Sequence, residues 1–229
     1  LQSWFIDFDP VRAKAEGRPT GLSKEISDLF PDSFEDSELG EIPKGWKNIK
    51  LGDIAKVSSG KRPPEKEEIK SNTCPYVVFG GAGPIGFCSN SLEFNKPAII
   101  TGRVGTLGKV FFLDQECWVS DNSILICDAE SYTPIIFQTL KHTNLSSLNV
   151  GSTQPLVTGR DIKSINIVGP DKSVLDAYVS LFNNFKIRQN KIIEENEVLL
   201  KLRDTLLPKL ISGGIKIPDT EDLVEEVGI

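Results

Sequence analysis

The tightest constraint in this sequence is the spacing of large apolar residues in its last third. Val174, Tyr178, Leu181 and Phe185 recur at steps of four and three, and Ile192, Leu199, Leu202 and Leu206 continue the series. Two further places in it are charged, Arg188 and Glu195. Alternating fours and threes average about 3.5 residues, the period of a coiled-coil seam rather than of the wider stripe on an ordinary surface helix. Pro170 and Asp171 precede the first turn, and Pro208 is predicted to close the last. Some 36 residues at ~1.5 Å each give a rod of roughly 54 Å. A small domain cannot cover a seam of that length. The seam, comprising Tyr178, Leu181, Phe185, Arg188, Ile192, Glu195, Leu199, Leu202 and Leu206, therefore predicts dimerisation with another helix. The bland alternative for Arg188 and Glu195 is that their stems pack at its edge with the charges in water.

Upstream of the rod the pattern changes. Residues 41–170 hold short apolar runs, Tyr76–Phe79, Ala98–Thr101, Lys109–Leu113, Ser123–Cys127 and Ile165–Val168, separated by Gly, Asn, Pro and Ser clusters. Such runs bounded by turn residues read as strands. A helix is expected within Thr133–Leu140 and a shorter one over Leu51–Val57. Residues 1–40 show no sustained periodicity beyond one or two helical turns in Ser23–Phe34, with Ser23 as a candidate N-cap. The predicted fold class is α+β: a mostly β domain followed by a long coiled-coil-forming α-helix. Its divisions are a connecting segment (1–40), the β domain (41–170), the helix (171–212) and an acidic tail (213–229).

Composition narrows the function classes. Hydrophobic residues make up 39% and charged residues 25%, as in an ordinary globular protein. No apolar run reaches the ~18 residues of a membrane span, and no signal-peptide pattern opens the chain, so a cytoplasmic protein without a membrane partner is expected. Cys74, Cys88, Cys117 and Cys127 lack the spacing of a zinc site and read as reduced core residues. There is no methionine. The expectation is therefore a cut fragment or a chain whose beginning has been removed. The net charge is −6, yet residues 41–110 carry 11 basic against 6 acidic side chains. A basic stretch within an acidic chain suits a phosphate-facing surface, although mixed charge is also plain solvation.

Most apparent catalytic motifs fail on context. Gly81-Ala-Gly83-Pro-Ile-Gly86 matches G-x-G-x-x-G, but the turn-like Phe87-Cys-Ser-Asn-Ser follows where a dinucleotide site needs a helix. Gly108-Lys109 lacks the rest of a phosphate-binding loop. Asp53, Glu68 and Lys70 have the loose spacing of a metal-dependent nuclease, in a stretch that reads equally as a solvated loop. A single histidine, His142, leaves little material for acid–base schemes. What remains is a set of polar, glycine-bearing loops carrying Lys61, Arg62, Arg103, Lys109, Gln154 and Arg160. Arg and Lys pair with phosphates or guanine, Gln with adenine, and glycine permits close backbone approach. These residues are the candidate DNA contacts; the alternative is that they decorate ordinary β-turns.

Several phrases, in order along the chain, resemble the specificity subunits of type I restriction–modification enzymes. They are Trp4-Phe-Ile-Asp-Phe-Asp-Pro-Val-Arg-Ala-Lys14, Ile42-Pro-Lys-Gly-Trp46, Leu51-Gly-Asp-Ile54 with Gly60-Lys61, Ser120-Asp-Asn122, Gly151-Ser-Thr-Gln-Pro155 and Leu206-Leu-Pro-Lys-Leu-Ile-Ser-Gly213. The resemblance implies one target recognition domain plus one conserved helix, the second half of such a subunit or a half-subunit. It further implies a non-catalytic chain that reads one half of a bipartite double-stranded DNA site. Expected partners are a DNA methyltransferase subunit, a restriction endonuclease subunit, and a second copy or another recognition half. No cofactor is expected on this chain; S-adenosylmethionine, ATP and Mg²⁺ would belong to the partners. The competing readings are a helix-mediated scaffold whose β domain binds a protein or glycan, and a nuclease using Asp53, Glu68 and Lys70.

Overall fold

The computed structural model describes residues 2–38, 40–104, 107–148 and 156–215. The N-terminal segment is more structured than its irregular sequence suggests. Helices α1 (Gln2–Phe5), α2 (Asp9–Ala15) and α3 (Lys24–Ser27) lead into an antiparallel hairpin of β1 (Phe34–Ser37) and β2 (Gly40–Pro43). Its apolar residues are aromatic and meet one another. Trp4, Phe5, Phe8, Phe30 and Trp46 are all buried. Trp4 stands edge-on to Phe30 at 4.9 Å between ring centroids, and Phe8 edge-on to Trp46 at 6.0 Å. Offset and edge-to-face geometries of this kind are the favoured ones for aromatic pairs.

Beyond this cluster come β3 (Lys47–Lys50), α4 (Leu51–Ile54), β4 (Lys56–Ser59), β5 (Lys66–Glu67), β6 (Tyr76–Gly80) and β7 (Gly83–Cys88). They are followed by β8 (Ala98–Gly102), β9 (Val110–Leu113), β10 (Cys117–Val119) and β11 (Ser123–Cys127). Then come α5 (Thr133–His142), α6 (Gly159–Lys163), β12 (Asn166–Gly169) and α7 (Lys172–Ile211). Two four-stranded sheets dominate, in the orders β10-β6-β7-β5 and β4-β11-β8-β9. Strands β10 and β6 run parallel, and the other pairs of these two sheets run antiparallel. A separate two-stranded pairing, β12 with β3, returns the chain to the start of the β region before the long helix.

The core explains why the strands read as unbroken apolar runs. Phe79, Ala98, Ile100, Leu113, Cys117, Val119, Leu125 and Cys127 form one buried cluster shared by both sheets. Ile99 points the other way from Ile100, as strand alternation requires, and is equally buried. That second face is covered by α5, whose Phe137 meets Phe112 of β9 at 5.4 Å. Every residue of β8 and β11 is buried. A strand covered on both faces loses the alternation of a half-exposed one. All four cysteines are buried and unbridged.

The predicted class stands: a mostly β domain followed by a long helix. Two boundaries differ by three residues. The short helix expected over Leu51–Val57 stops at Ile54, because Val57 pairs with Ile126 in the ladder between β4 and β11. Pro208 does not close α7; the helix continues to Ile211. Proline removes one backbone donor, but Ser212 N still bonds Pro208 O at 3.0 Å, and the chain leaves the helix where Gly213 adopts φ +73°. At its other end the helix starts within a buried environment, since Val174, Leu175 and Tyr178 are all covered. By packing, the described residues up to Val179 form one compact unit and those from Ser180 a second. No helix among the described residues is long and apolar enough to cross a membrane.

Candidate nucleic-acid interface

The two large sheets end together on one side, and the loops there carry most of the cationic candidates. Ser59 of β4 pairs with Ile124, next to the first residue of β11, whose Ser123 pairs with the last residue of β8, Gly102. In the other sheet Val119, the last residue of β10, pairs with Phe79 of β6, and Gly80 turns to Gly83 at the start of β7. The described residues of the stretches 60–62, 81–82, 103–104, 107–109 and 120–122 therefore leave the sandwich at the same end. Gly81 and Ala82 form the turn of a β-hairpin, so the G-x-G-x-x-G phrase spans a hairpin, not a strand-to-helix junction.

The turn after β10 is the point at which these loops meet. Lys61 N donates to Val119 O at 2.9 Å, and Gly60 N donates to Ser123 O at 3.1 Å. Ser120 N donates to Phe79 O, and Arg103 N donates to Asn122 O, both at 2.9 Å. The Trp118 indole N–H donates to Lys61 O at 2.8 Å. Lys109 Nζ reaches Ala82 O at 3.4 Å. One turn thus accepts bonds from two loops of the β4-β11-β8-β9 sheet and donates one to β6 of the other sheet, and Ser120 and Ser123 at its base are fully covered. Asp121 and Asn122 at its apex are exposed.

Of the six candidate contacts, the structure gathers four. Lys61, Arg62 and Lys109 are exposed and Arg103 is half-buried, all at this end. None of the four is in an ion pair among the described residues. Cations on loops at one end of a domain, without a neutralising carboxylate among the described residues, are a ready electrostatic footprint for phosphates. Gln154 lies outside the described residues. Arg160 is not on these loops; it is exposed in the first turn of α6, a helix seated on β4 near Val57. The link to the cluster is indirect, through Val157 N donating to Arg103 O at 3.0 Å. Helix α6 starts in a capping box: Thr158 accepts from Asp161 N, and Asp161 accepts from Thr158 N at 2.8 Å. Asp53 sits on α4 and Glu68 and Lys70 follow β5, so the nuclease-like set is divided between separate elements.

The seam residues of α7 also separate. Tyr178 must be removed from the set, because it is fully buried against its own chain, its ring 4.6 Å from Phe5 and 5.9 Å from Trp4. A side chain already used in the intramolecular core is not available to a second helix. Phe185, Arg188, Ile192, Glu195, Leu199 and Leu202 are exposed, while Leu181 and Leu206 are half-buried. Ile193, Leu200 and Leu207, each one position beyond the seam, are exposed as well. The uncovered apolar face is therefore wider than the spacing of fours and threes indicated.

Sequence reasoning missed the residues that hold the loops rather than decorate them. Ser120, Asn122 and Trp118 act through backbone and indole groups, and nothing in a residue's type announces such contacts. The only signal was indirect: Ser120-Asp-Asn122 was one of the phrases that carried the family resemblance.

A sandwich whose loops at one end carry four cations outside the ion pairs of the described residues is joined in sequence to a 40-residue helix. Residues 43–201 match the family described as type I restriction modification DNA specificity domain, and the chain belongs to that family. It is 26% identical to the type I restriction enzyme HindI specificity subunit of Haemophilus influenzae, over 94% of this chain and 60% of that one. It is 28% identical to the type I restriction enzyme MjaIX specificity subunit of Methanocaldococcus jannaschii, over 96% of this chain and 52% of that one. The chain thus spans a little over half the length of these curated relatives. Its fold is similar to the S subunit of a type I restriction–modification system from M. genitalium, with a TM-score of 0.59 at 20% identity, covering 73% of this chain and 46% of that one.

Proposed function

We propose that this chain reads one half of a bipartite double-stranded DNA site as a specificity component of a type I restriction–modification complex. The observation that carries the reading is the convergence of Lys61, Arg62, Arg103 and Lys109, outside the ion pairs of the described residues, on loops at one end of the sandwich. Lysine and arginine on such loops supply phosphate contacts that fix register, and Arg103 and the exposed Asn122 supply groups suited to base edges. The chain contributes recognition and no catalytic group. S-adenosylmethionine, ATP and Mg²⁺ act on the methyltransferase and endonuclease subunits that it docks. It works in the cytoplasm, where its DNA is.

The exposed seam of α7 pairs with a second copy of this chain or with another recognition half. Antiparallel pairing about residues 191–192 brings Arg188 of one copy towards Glu195 of the other. Such a pairing doubles one recognition domain into two and sets the gap between half-sites.

Co-expression with the accompanying methyltransferase subunit in a methylation-free host, followed by mapping of methylated adenines, tests the reading. A split palindrome is expected if two copies pair. An asymmetric split site would assign the second half to a different recognition domain. Absence of methylation, with the methyltransferase active alongside an intact specificity subunit, would favour a scaffold whose β domain binds protein or glycan.

A further inference from the structure

The loop end of the sandwich is closed by two places where backbone lies directly on backbone. Gly60, just past β4, belongs to one sheet. A Cβ there would lie well inside contact distance of the carbonyl oxygens of Val119, the last residue of β10 in the other sheet, and of Ser120, which follows it. Gly81 makes the reverse connection. It sits in the β6–β7 turn of the second sheet, and a Cβ there would be 2.8 Å from Gly102 Cα of the first sheet and 3.1 Å from Asn122 O. Neither glycine has a left-handed φ. Each is required by close approach alone.

The neighbours of these contacts are the cationic candidates. Lys61 and Arg62 follow Gly60 directly, and Arg103 follows Gly102. Lys109 Nζ bonds Ala82 O, beside Gly81. The backbone bonds Lys61 N to Val119 O and Arg103 N to Asn122 O run through the same turn. A side chain at either glycine would push backbone carbonyls, not the yielding end of a flexible side chain. The two sheets would separate at this end, and the distance from Lys61 and Arg62 to Arg103 and Lys109 would change.

We infer that Gly60 and Gly81 are positioning residues for sequence recognition: their contacts with the 119–122 turn set the spacing between the cationic loops. The inference rests on the DNA-reading proposal above. It goes beyond it by separating what holds the loops from what touches DNA. Non-specific attraction depends on the number of cations near the phosphates, which the glycines do not alter. Base readout depends on where each side chain stands, and each good bidentate contact is lost with small displacements.

The test uses the full chain assembled with its methyltransferase subunit and two duplexes, one carrying the mapped site and one scrambled. Gly60→Ala and Gly81→Ala are expected to lower affinity for the mapped site at least tenfold. Affinity for the scrambled duplex should stay within about twofold and the salt slope should be unchanged. Gly52→Ala is the control, since a Cβ there would be 2.8 Å from Lys163 Cβ in a crowded place on α4, away from the loops. Trp118→Phe loosens the same loop more gently, by removing the bond to Lys61 O, and is expected to lower the specific-to-scrambled ratio about threefold. It decides the matter if the glycine variants do not fold. A wild-type ratio in folded Gly60→Ala and Gly81→Ala, or in Trp118→Phe, overturns the inference. So does an equal loss of ratio in Gly52→Ala. Wild-type complex that binds both duplexes equally, or neither, fails the DNA reading itself whatever the variants do.

Discussion

Tyr178, near the start of the long helix, stands edge-on to Phe5 with ring centroids 4.6 Å apart and planes at 80°. The two residues are 173 positions apart in sequence, and both are buried. The first helical turns of α7 are thereby part of the same aromatic cluster as the N-terminal segment. Truncating a buried aromatic removes its transfer free energy and leaves a cavity. Tyr178→Ala is expected to destabilise the 1–179 unit by about 3–5 kcal/mol. Urea denaturation followed by tryptophan fluorescence should report it, since Trp4 and Trp46 lie in the cluster.

Self-association through α7 has a direct check. Leu199 is 59% exposed and lies mid-seam. Leu199→Asp would place a carboxylate where the proposed pair is driest, a cost of several kcal/mol if the group stays charged and unpaired. Sedimentation velocity should show the dimer dissociation constant raised at least a hundredfold, with the melting of the 1–179 unit unchanged. Arg188→Glu alone should also weaken the pair. Combination with Glu195→Arg should restore it if the two charges meet across the seam.

Phosphate contacts have a salt signature. Each cation that displaces a condensed counterion contributes about 0.9 to the slope of log affinity against log salt. Lys61→Ala and Lys109→Ala are each expected to flatten that slope by roughly this amount and to weaken all sequences alike. Arg103→Ala, if Arg103 reads a base, should instead change the mapped site at one position. Fluorescence anisotropy at several salt concentrations separates the two outcomes.

The capping box of α6 gives a pH-dependent expectation. Hydrogen bonds from the Thr158 side chain, and then from its backbone, hold the Asp161 carboxyl below its ordinary value. A carboxylate with a depressed folded pKa stabilises the native state above its unfolded value, near 3.9, and loses that contribution as pH falls through the folded value. Asp161→Asn should therefore flatten the acid limb of the stability profile below about pH 4. Thr158→Ala, which removes the reciprocal bond, should cost about 1 kcal/mol at neutral pH. Thermal melts between pH 3 and pH 7 would show both.

The cysteines should be inert while the chain is folded. Burial pushes the Cys117 thiol up to about 11, with Lys96 pulling weakly the other way. Reaction requires thiolate and access, and a covered thiol with a raised pKa has neither at neutral pH. Iodoacetamide at pH 8 should leave Cys117 unmodified in the native protein and label it fully in urea. Mass spectrometry of tryptic peptides distinguishes the two.

Much of the fold was legible because its local signals were strong. The runs at Ala98–Thr101 and Ser123–Cys127 became β8 and β11 because five consecutive buried residues with turn chemistry on each side leave few alternatives. The long helix was legible from its spacing alone. Trp4, Phe5 and Phe8 were not recognisable as core, because the residues that bury them, Trp46 and Tyr178, are far away in sequence. The hairpin Phe34–Ser37 with Gly40–Pro43 is charged and only half of its strand residues are exposed, without strict alternation, so no apolar period marked it. Four of the cationic candidates could be named from loop chemistry, but their convergence depends on strand order. Strand β10 is three residues long and pairs in parallel with β6, a partner no local pattern could identify.

The close approaches at Gly60 and Gly81 are to main-chain atoms, of the 119–122 turn and, for Gly81, of Gly102 and Arg103 as well. Nothing about them specifies what Arg62, Arg103 or Asp121 must be. A scaffold whose joints are made of backbone leaves its displayed side chains interchangeable, so a new target could arise by exchanging a few loop residues without re-solving how the loops are held. In such a molecule the capacity to change its target is stored in two missing methyl groups.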